Sequence, residues 1–354
     1  MKPNNKWMAF LSSSALISGA LLVNVLFGAI IILLIGSDPV VAYKSLLHYS
    51  LGDPVSFTNV LTRATPLLLA GLSVSVAFTA GIYNLGGEGQ IYLGAFAAAL
   101  VGFSLNGLTT PIHLSIIIIA AMLAGAIGAF IPGWLKVKYN VDEVVSTILL
   151  NSVYILFTNY LANYPFRDPT RWSGTTLQVL DSARMPVIYR STELNAGIII
   201  SLFFVFIIFI IFRSSDLGYR WKIIGLNKRF SMFGGIASGR DQLIAMIFSG
   251  SLAGLAGGLL VTGSQYRFWA QIGGGVGWDG VLIALLANNN PLGVLIAGLG
   301  FAVVKTGSLA MEQASSVPSE LTNVLLALLI LFITGRKFAF ILLQRKKNLV
   351  DIQE

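Results

Sequence analysis

The sequence contains no cysteine, and its two histidines, His48 and His113, are far apart. Disulfides, thiolate metal sites and iron–sulfur clusters are therefore excluded, and no histidine pair has metal-ligand spacing. Charge is scarce as well. Only 11% of the 354 residues are Asp, Glu, Lys or Arg, against about 25% in soluble domains. No G-x-x-x-x-G-K-[ST] run is present, so nothing here cradles nucleotide phosphates in a P-loop. No nucleophile–base–acid set or paired acid and base suggests itself, so no catalytic residue, metal or cofactor is assigned to this chain. Net charge is +8, but no basic stripe with interleaved aromatics accompanies it, which sets nucleic acid aside.

What is present is apolar: 55% of the residues are hydrophobic, more than a soluble fold of this length can hide. The expectation is an all-α polytopic membrane protein, in contact with lipid and forming one transmembrane domain over 1–354. A span needs about 20 apolar residues. Ten are placed, near 10–35, 62–81, 88–106, 112–134, 143–163, 194–212, 242–262, 277–288, 291–310 and 321–335. The eighth is too short to cross unless the glycine-rich stretch before it is also at membrane depth. The first follows Lys2 and Lys6 and is too long for the apolar core of a cleaved signal. With ten crossings both termini are cytoplasmic. The segments then on the inner side hold most of the 23 basic residues, as the positive-inside rule asks. The outer loop carrying Arg167, Arg171, Arg184 and Arg190 runs against it.

Two stretches interrupt the apolar pattern at matching places. "AGIYNLGGEGQIYLGAFAAAL" follows the second span and "AQIGGGVGWDGVLIALL" follows the seventh. Each is glycine-rich and carries one acid, Glu88 or Asp279. An acid also opens a later span in each half, in "VDEVVSTILLN" and "VPSELTNVLLAL". The second and seventh spans would run in opposite directions, so the halves read as two inverted repeats with interrupted helices. The first half covers 1–163, an external loop 164–193, a cytoplasmic loop 213–240 and the second repeat 241–335. Irregular backbone survives in hydrocarbon only where protein or water covers it, because each unpaired N–H or C=O costs several kcal/mol. Paired breaks of this kind point to a translocation path. The candidates for it are Asn84, Glu88, Gln90, Asn151, Trp269, Trp278 and Asp279. For the first break the alternative is a tight packed hairpin, with Asn84 capping the helix that restarts near Gly86 and Glu88 favouring its positive end. Asn151 either faces the path or bonds to a neighbouring helix, Trp269 belongs either to the path or to an interfacial aromatic belt, and Lys305 either snorkels or pairs with a carboxylate.

The loop 213–240 is basic but structured in pattern. Asn227 can cap a short helix from Lys228 to Phe233, which Gly234 stops. Arg229 adds charge, and Phe230 and Phe233, three apart, share one face. Such a helix either docks in a groove on a partner or lies on the lipid surface.

Several segments now carry a resemblance: "DPVVAYKSLL", "ATPLLLAGLSVSVAFTAGIYNLGGEGQIYLGA", "DEVVSTILLN", "LGYRWKIIGLN…GGI" and "NNNPLGV", in this order over nearly the whole chain. The sequence resembles the permeases of ATP-binding-cassette importers of the ribose, branched-chain amino acid and nucleoside superfamily, most of all the larger nucleoside permease subunit. The resemblance implies a multi-pass protein of a prokaryotic cell membrane. It implies a path lined partly by the interrupted segments and a coupling helix at 227–233 seated in an ATPase subunit, although small residues are usual where this chain has Phe230 and Ser231. The implied partners are a second, smaller permease, an ATPase that binds ATP and Mg, and an extracytoplasmic substrate-binding lipoprotein. Sugar and riboflavin permeases share the pattern. A self-sufficient secondary transporter, with Glu88, Asp279 and Lys305 as ion-coupling candidates, and a membrane enzyme are the readings of other classes.

Overall fold

The computed structural model describes residues 19, 22–171, 174–189, 192–315, 317–318, 320–328 and 331. The chain divides into two compact units, Pro54–Ala302 and Met1–Asp53 with Val303–Glu354. The described residues are mostly helical, with isolated β-bridges and no named strand among them.

In the smaller unit, α1 (Leu22–Leu34) bends by 120° into α2 (Pro39–Leu51). Asp38 caps α2 by accepting from the Val40 N–H at 2.7 Å, with Pro39 just inside the helix, where its missing N–H costs nothing. A small core of Ile32, Ala42, Leu46, Met311, Val317, Leu321 and Leu325 closes this unit. Of the expected first and tenth spans, residues 10–18 and most of 329–335 lie outside the described residues.

The larger unit contains α3 (Pro54–Thr79), α4 (Gly87–Ser104), α5 (Thr110–Tyr139), α6 (Glu143–Asn163), α7 (Gly197–Ser214), α8 (Asp216–Leu226), α9 (Lys228–Phe233), α10 (Ser238–Leu260), α11 (Val276–Leu286) and the first part, Pro291–Ala302, of α12 (Pro291–Ser315). Six described helices are long and apolar enough to cross a membrane, or seven if α1 and α2 form one broken span. These six are α3, α5, α6, α7, α10 extended to Gln265, and α12. The expected third and eighth spans correspond to α4, which opens on polar residues, and to α11, which has 11 residues. Segment 213–240 is mostly helix: α8 precedes the expected Lys228–Phe233 helix, and its Trp221 is fully buried, with Nε1 donating to the Asp241 carbonyl at 2.9 Å.

The termini of these helices follow local chemistry. α5 starts with Pro111 in its first turn and stops at Asn140, which takes the left-handed conformation, while Lys136 and Lys138 face its negative end. Asp142 caps α6 through the Val145 N–H at 3.0 Å. Lys136 and Glu143 pair at 2.8 Å across the corner between the two helices.

α3 and α10 are largely buried, whereas α5, α6 and α7 turn most of their surface outward. α10 lies against α4 and α5 along a glycine stripe. A Cβ on Gly254 would stand 2.2 Å from the Ala121 carbonyl oxygen, one on Gly94 2.1 Å from that of Gly254, and one on Gly125 2.1 Å from that of Gly250. Backbones this close leave no room for side chains, and in lipid such contact is a main source of helix association.

At one end of the unit, the described residues of segment 164–196 lie over α4 and α10. Its Leu180 N–H reaches the Gly102 carbonyl and its Met185 N–H that of Thr262, both at 2.9 Å. Val179 and Ala183 join the core cluster of Ala98, Ala99, Ile117 and Phe268 beneath it. The Thr170 hydroxyl and N–H, at 2.6 and 2.9 Å, with Arg267 3.8 Å away, hold the Asp168 carboxyl below the usual carboxylate range. α8 and α9 occupy the opposite end.

The glycine stripe makes a testable distinction. Gly254→Ala places a methyl against backbone that cannot yield, and should lower stability by about 1–3 kcal/mol or more. Gly87→Ala meets nothing nearer than 3.9 Å and should leave the melting temperature in detergent within a few degrees of wild type. Thermal unfolding followed by the monodisperse fraction checks both, and equal melting temperatures would refute the packing argument.

Candidate functional site

α4 and α11 both begin inside the unit and run in opposite directions. α4 leads to the end covered by segment 164–196, while α11 leads to residues 288–290, which share a cleft with Thr79 at the end of α3. Their N-termini meet. A Cβ on Gly277 would lie 2.3 Å from the Glu88 nitrogen. Each helix start carries roughly half a positive charge and several N–H groups without intrahelical partners, so two such ends in contact repel. Glu88, in the first turn of α4 and 6% exposed, resolves this. Its Oε1 accepts from the Gly275 N–H at 3.0 Å and its Oε2 from the Gly277 N–H at 2.6 Å. One carboxylate thus caps α11 while neutralising its own helix end. Gly275 has φ +83°, which a side chain would resist.

The break between α3 and α4 is closed by amides. The Gln242 Nε2 donates to the carbonyls of Ala80 at 3.2 Å and Gly81 at 3.1 Å. Asn84, fully buried, donates through Nδ2 to Gln90 Oε1 and Ser249 Oγ, both at 2.8 Å. Its Oδ1 accepts from the Gly86 N–H and from Gln90 Nε2, both at 3.0 Å. The Ser249 carbonyl in turn accepts from Ser73 Oγ of α3 at 2.7 Å. On α6, Thr147 Oγ1 accepts from the Leu85 N–H at 3.3 Å, and Asn151 Oδ1, one turn further along the same face, accepts from the Gly89 N–H.

Asn84, Glu88, Gln90 and Asn151 are therefore brought together around the start of α4. Asp279, 8% exposed, and Trp278, 44% exposed, follow on the first turn of α11, and Arg63 of α3 lies within electrostatic reach of Asp279. Trp269 stands apart: its backbone bridges to Thr175, and its ring packs at the edge of the cluster holding Tyr92 and Phe268. One expectation needs correction. Asn84 does not cap α4, whose N-cap is Gly86 without a side-chain bond; it folds the turn before it. Of the glycines at 86, 87 and 89, Gly87 has the most room, since a Cβ on Gly86 or Gly89 would meet atoms at 3.1 or 2.9 Å. Ser73, Ser249, Thr147 and Gln242 were not singled out from the sequence. The one signal for Ser249 was its place in the small-residue run "FSGSLAGLAGG".

Lys305 lies on α12, partly buried, in the smaller unit. At the α8–α9 end the short helix has the expected bounds, Lys228–Phe233. Asn227 Oδ1 accepts from the Phe230 N–H at 3.0 Å and Gly234 ends it. Lys228 and Arg229 are exposed, as are Phe230 at 66% and Phe233 at 92%. Buried Ser231, with Oγ 2.8 Å from Ser238 Oγ, ties the helix down.

Glu88→Ala strands the Gly275 and Gly277 N–H groups, at about 1–3 kcal/mol each. Glu88→Gln keeps one acceptor oxygen but turns an NH₂ toward the other donor, so its loss should be intermediate. The melting order wild type, glutamine, alanine is expected, and an alanine variant as stable as wild type would refute the bracing role.

The family profile described as branched-chain amino acid transport system / permease component matches residues 56–334. A guanosine ABC transporter permease protein of Bacillus subtilis is 33% identical over 321 residues, 89% of this chain and 91% of that protein. A nucleoside ABC transporter permease protein of Lactococcus lactis subsp. cremoris is 32% identical over 93% of this chain and 92% of that one. A glucose ABC transporter permease protein of Haloferax volcanii is 31% identical, covering 94% and 89%. With a profile match across most of its length and relatives above 30% identity over about nine-tenths of both chains, the chain belongs to the family of branched-chain amino acid transport system permease components.

Proposed function

We propose that this permease carries nucleosides into the cell as the membrane subunit of an ATP-binding-cassette importer. The carrying observation is the match over about nine-tenths of both chains to permeases named for guanosine and for nucleosides. The path runs beside the junction of α4 and α11. Glu88, Asn84, Gln90 and Asn151 frame it, Trp278 and Asp279 face it from α11, and Trp269 stands toward its outer end. α3 runs toward the α8–α9 end and α10 away from it, which supports inverted repeats; ten crossings with both termini inside would place α9 in the cytoplasm. There its exposed phenylalanines seat in an ATPase that binds ATP and Mg. A smaller permease and a substrate-binding lipoprotein complete the assembly. The relative named for glucose favours a sugar as the second reading.

Uptake by the complex reconstituted with its ATPase and binding protein distinguishes the substrates. Labelled guanosine and other nucleosides should accumulate with ATP, while glucose and riboflavin neither accumulate nor compete. Glucose accumulation without nucleoside uptake would overturn the assignment. Coupling has its own test. Phe230→Ala with Phe233→Ala removes two anchors, and truncating a buried anchor costs at least about 2 kcal/mol of binding. Co-purified ATPase and transport should fall together with no change in melting temperature; full retention of both would leave α9 as a lipid-surface helix.

A further inference from the structure

A cleft of about 640 Å³ opens at the α8–α9 end of the larger unit, between the C-terminal turns of α3, α7 and α8 and residues 288–291. It lies away from the α4–α11 junction, and nothing in the transport reading uses it. Its lining includes two cations, Arg213 and Lys222, and no acidic residue. No ion pair joins either cation to a carboxylate among the described residues. Each instead rests on an aromatic ring: Arg213 lies 5.8 Å from the Phe209 centroid and Lys222 5.8 Å from that of Phe212. Lys222 also donates to the Phe212 carbonyl, which fixes its ammonium and leaves two of its three donors.

The same cleft includes Asn289, held in the left-handed conformation at φ 58°, whose Oδ1 is buried and receives no hydrogen bond. Two cations without a carboxylate partner ask for an anion, and the unsatisfied Asn289 acceptor, once its side chain turns toward the cleft, asks for a donor. Position narrows the class. Arg213 is in the last turn of α7, and the outward side chains along α7, Ile199, Leu202, Phe203, Phe206 and Ile210, are exposed and apolar. The cleft therefore opens where a lipid-facing span ends, the depth at which headgroups stand. Basic pockets between membrane helices at this level suit anionic headgroups.

We infer that this cleft binds one anionic phospholipid with a hydroxylated headgroup. The phosphate lies between Arg213 and Lys222, a headgroup hydroxyl donates to Asn289 Oδ1, and the acyl chains run along α7. The inference depends on the chain being a membrane protein and not on which substrate it carries, so an uptake assay and a lipid assay can fail independently.

The test is native mass spectrometry of the full chain released from nanodiscs of equal phosphatidylglycerol and phosphatidylcholine. Wild type should retain one phosphatidylglycerol per chain with roughly tenfold preference, and millimolar inorganic phosphate should not displace it. Arg213→Gln with Lys222→Gln should retain the two lipids equally at an unchanged melting temperature, and Asn289→Ala should weaken retention less. A double variant that keeps the preference overturns the site. Displacement by phosphate overturns the lipid in favour of a soluble anion. A wild type without preference, whose double variant instead loses its ATPase, makes the cleft a protein seat and overturns it too.

Discussion

Backbone polarity in hydrocarbon governs this fold. Each helix that starts or stops inside the membrane exposes N–H or carbonyl groups that lipid cannot satisfy, at several kcal/mol apiece. The chain has helix ends inside the larger unit at 80–89 and at 275–277, and it answers with a few side chains placed once each. Glu88 takes two donors of α11, Gln242 takes two carbonyls at the end of α3, and Asn151, Thr147 and Asn84 take the N–H groups of Gly89, Leu85 and Gly86. Except at Asn84, which serves Gly86 in its own turn, break and brace come from different elements, so the site is complete only once the helices meet.

That dependence explains why the glycine stripe matters. Ser249 can serve Asn84 and Ser73 at once only because α10 is pressed against α3 and α4, with Gly94 and Gly254 in backbone contact. Leucine at such positions would hold the helices farther apart, and short polar groups would no longer reach. Packing and polar satisfaction are one constraint here, and the low charge content of the chain reflects how few polar groups a closely packed interior needs.

How much of this the sequence discloses depends on the range over which each signal acts. The Lys228–Phe233 helix was readable because its cap and stop are local, in Asn227 and Gly234. The broken segments were readable because glycine and acid in an apolar run have little other reason to be there. Asn84 reads as a cap from its neighbours in sequence, whereas its partners, Gln90 and Ser249, are set by tertiary contact. α8 was hidden in a basic stretch, since only the burial of Trp221 against Asp241 reveals that it is packed. The family was legible from motif order over the chain, while the role of each side chain at the junction was not, because an asparagine that lines a path and one that braces it look identical in one dimension.

The meeting of α8 with the break after α3 has a mechanical consequence. Gly225 and Gly81 touch through backbone, and a Cβ on Gly225 would stand 2.3 Å from the Thr79 carbonyl oxygen. Contacts between main chains contain no rotamers to absorb strain. A displacement of α8 at this contact would therefore reach the 80–89 segment through main chain alone, with no side chain between them to yield.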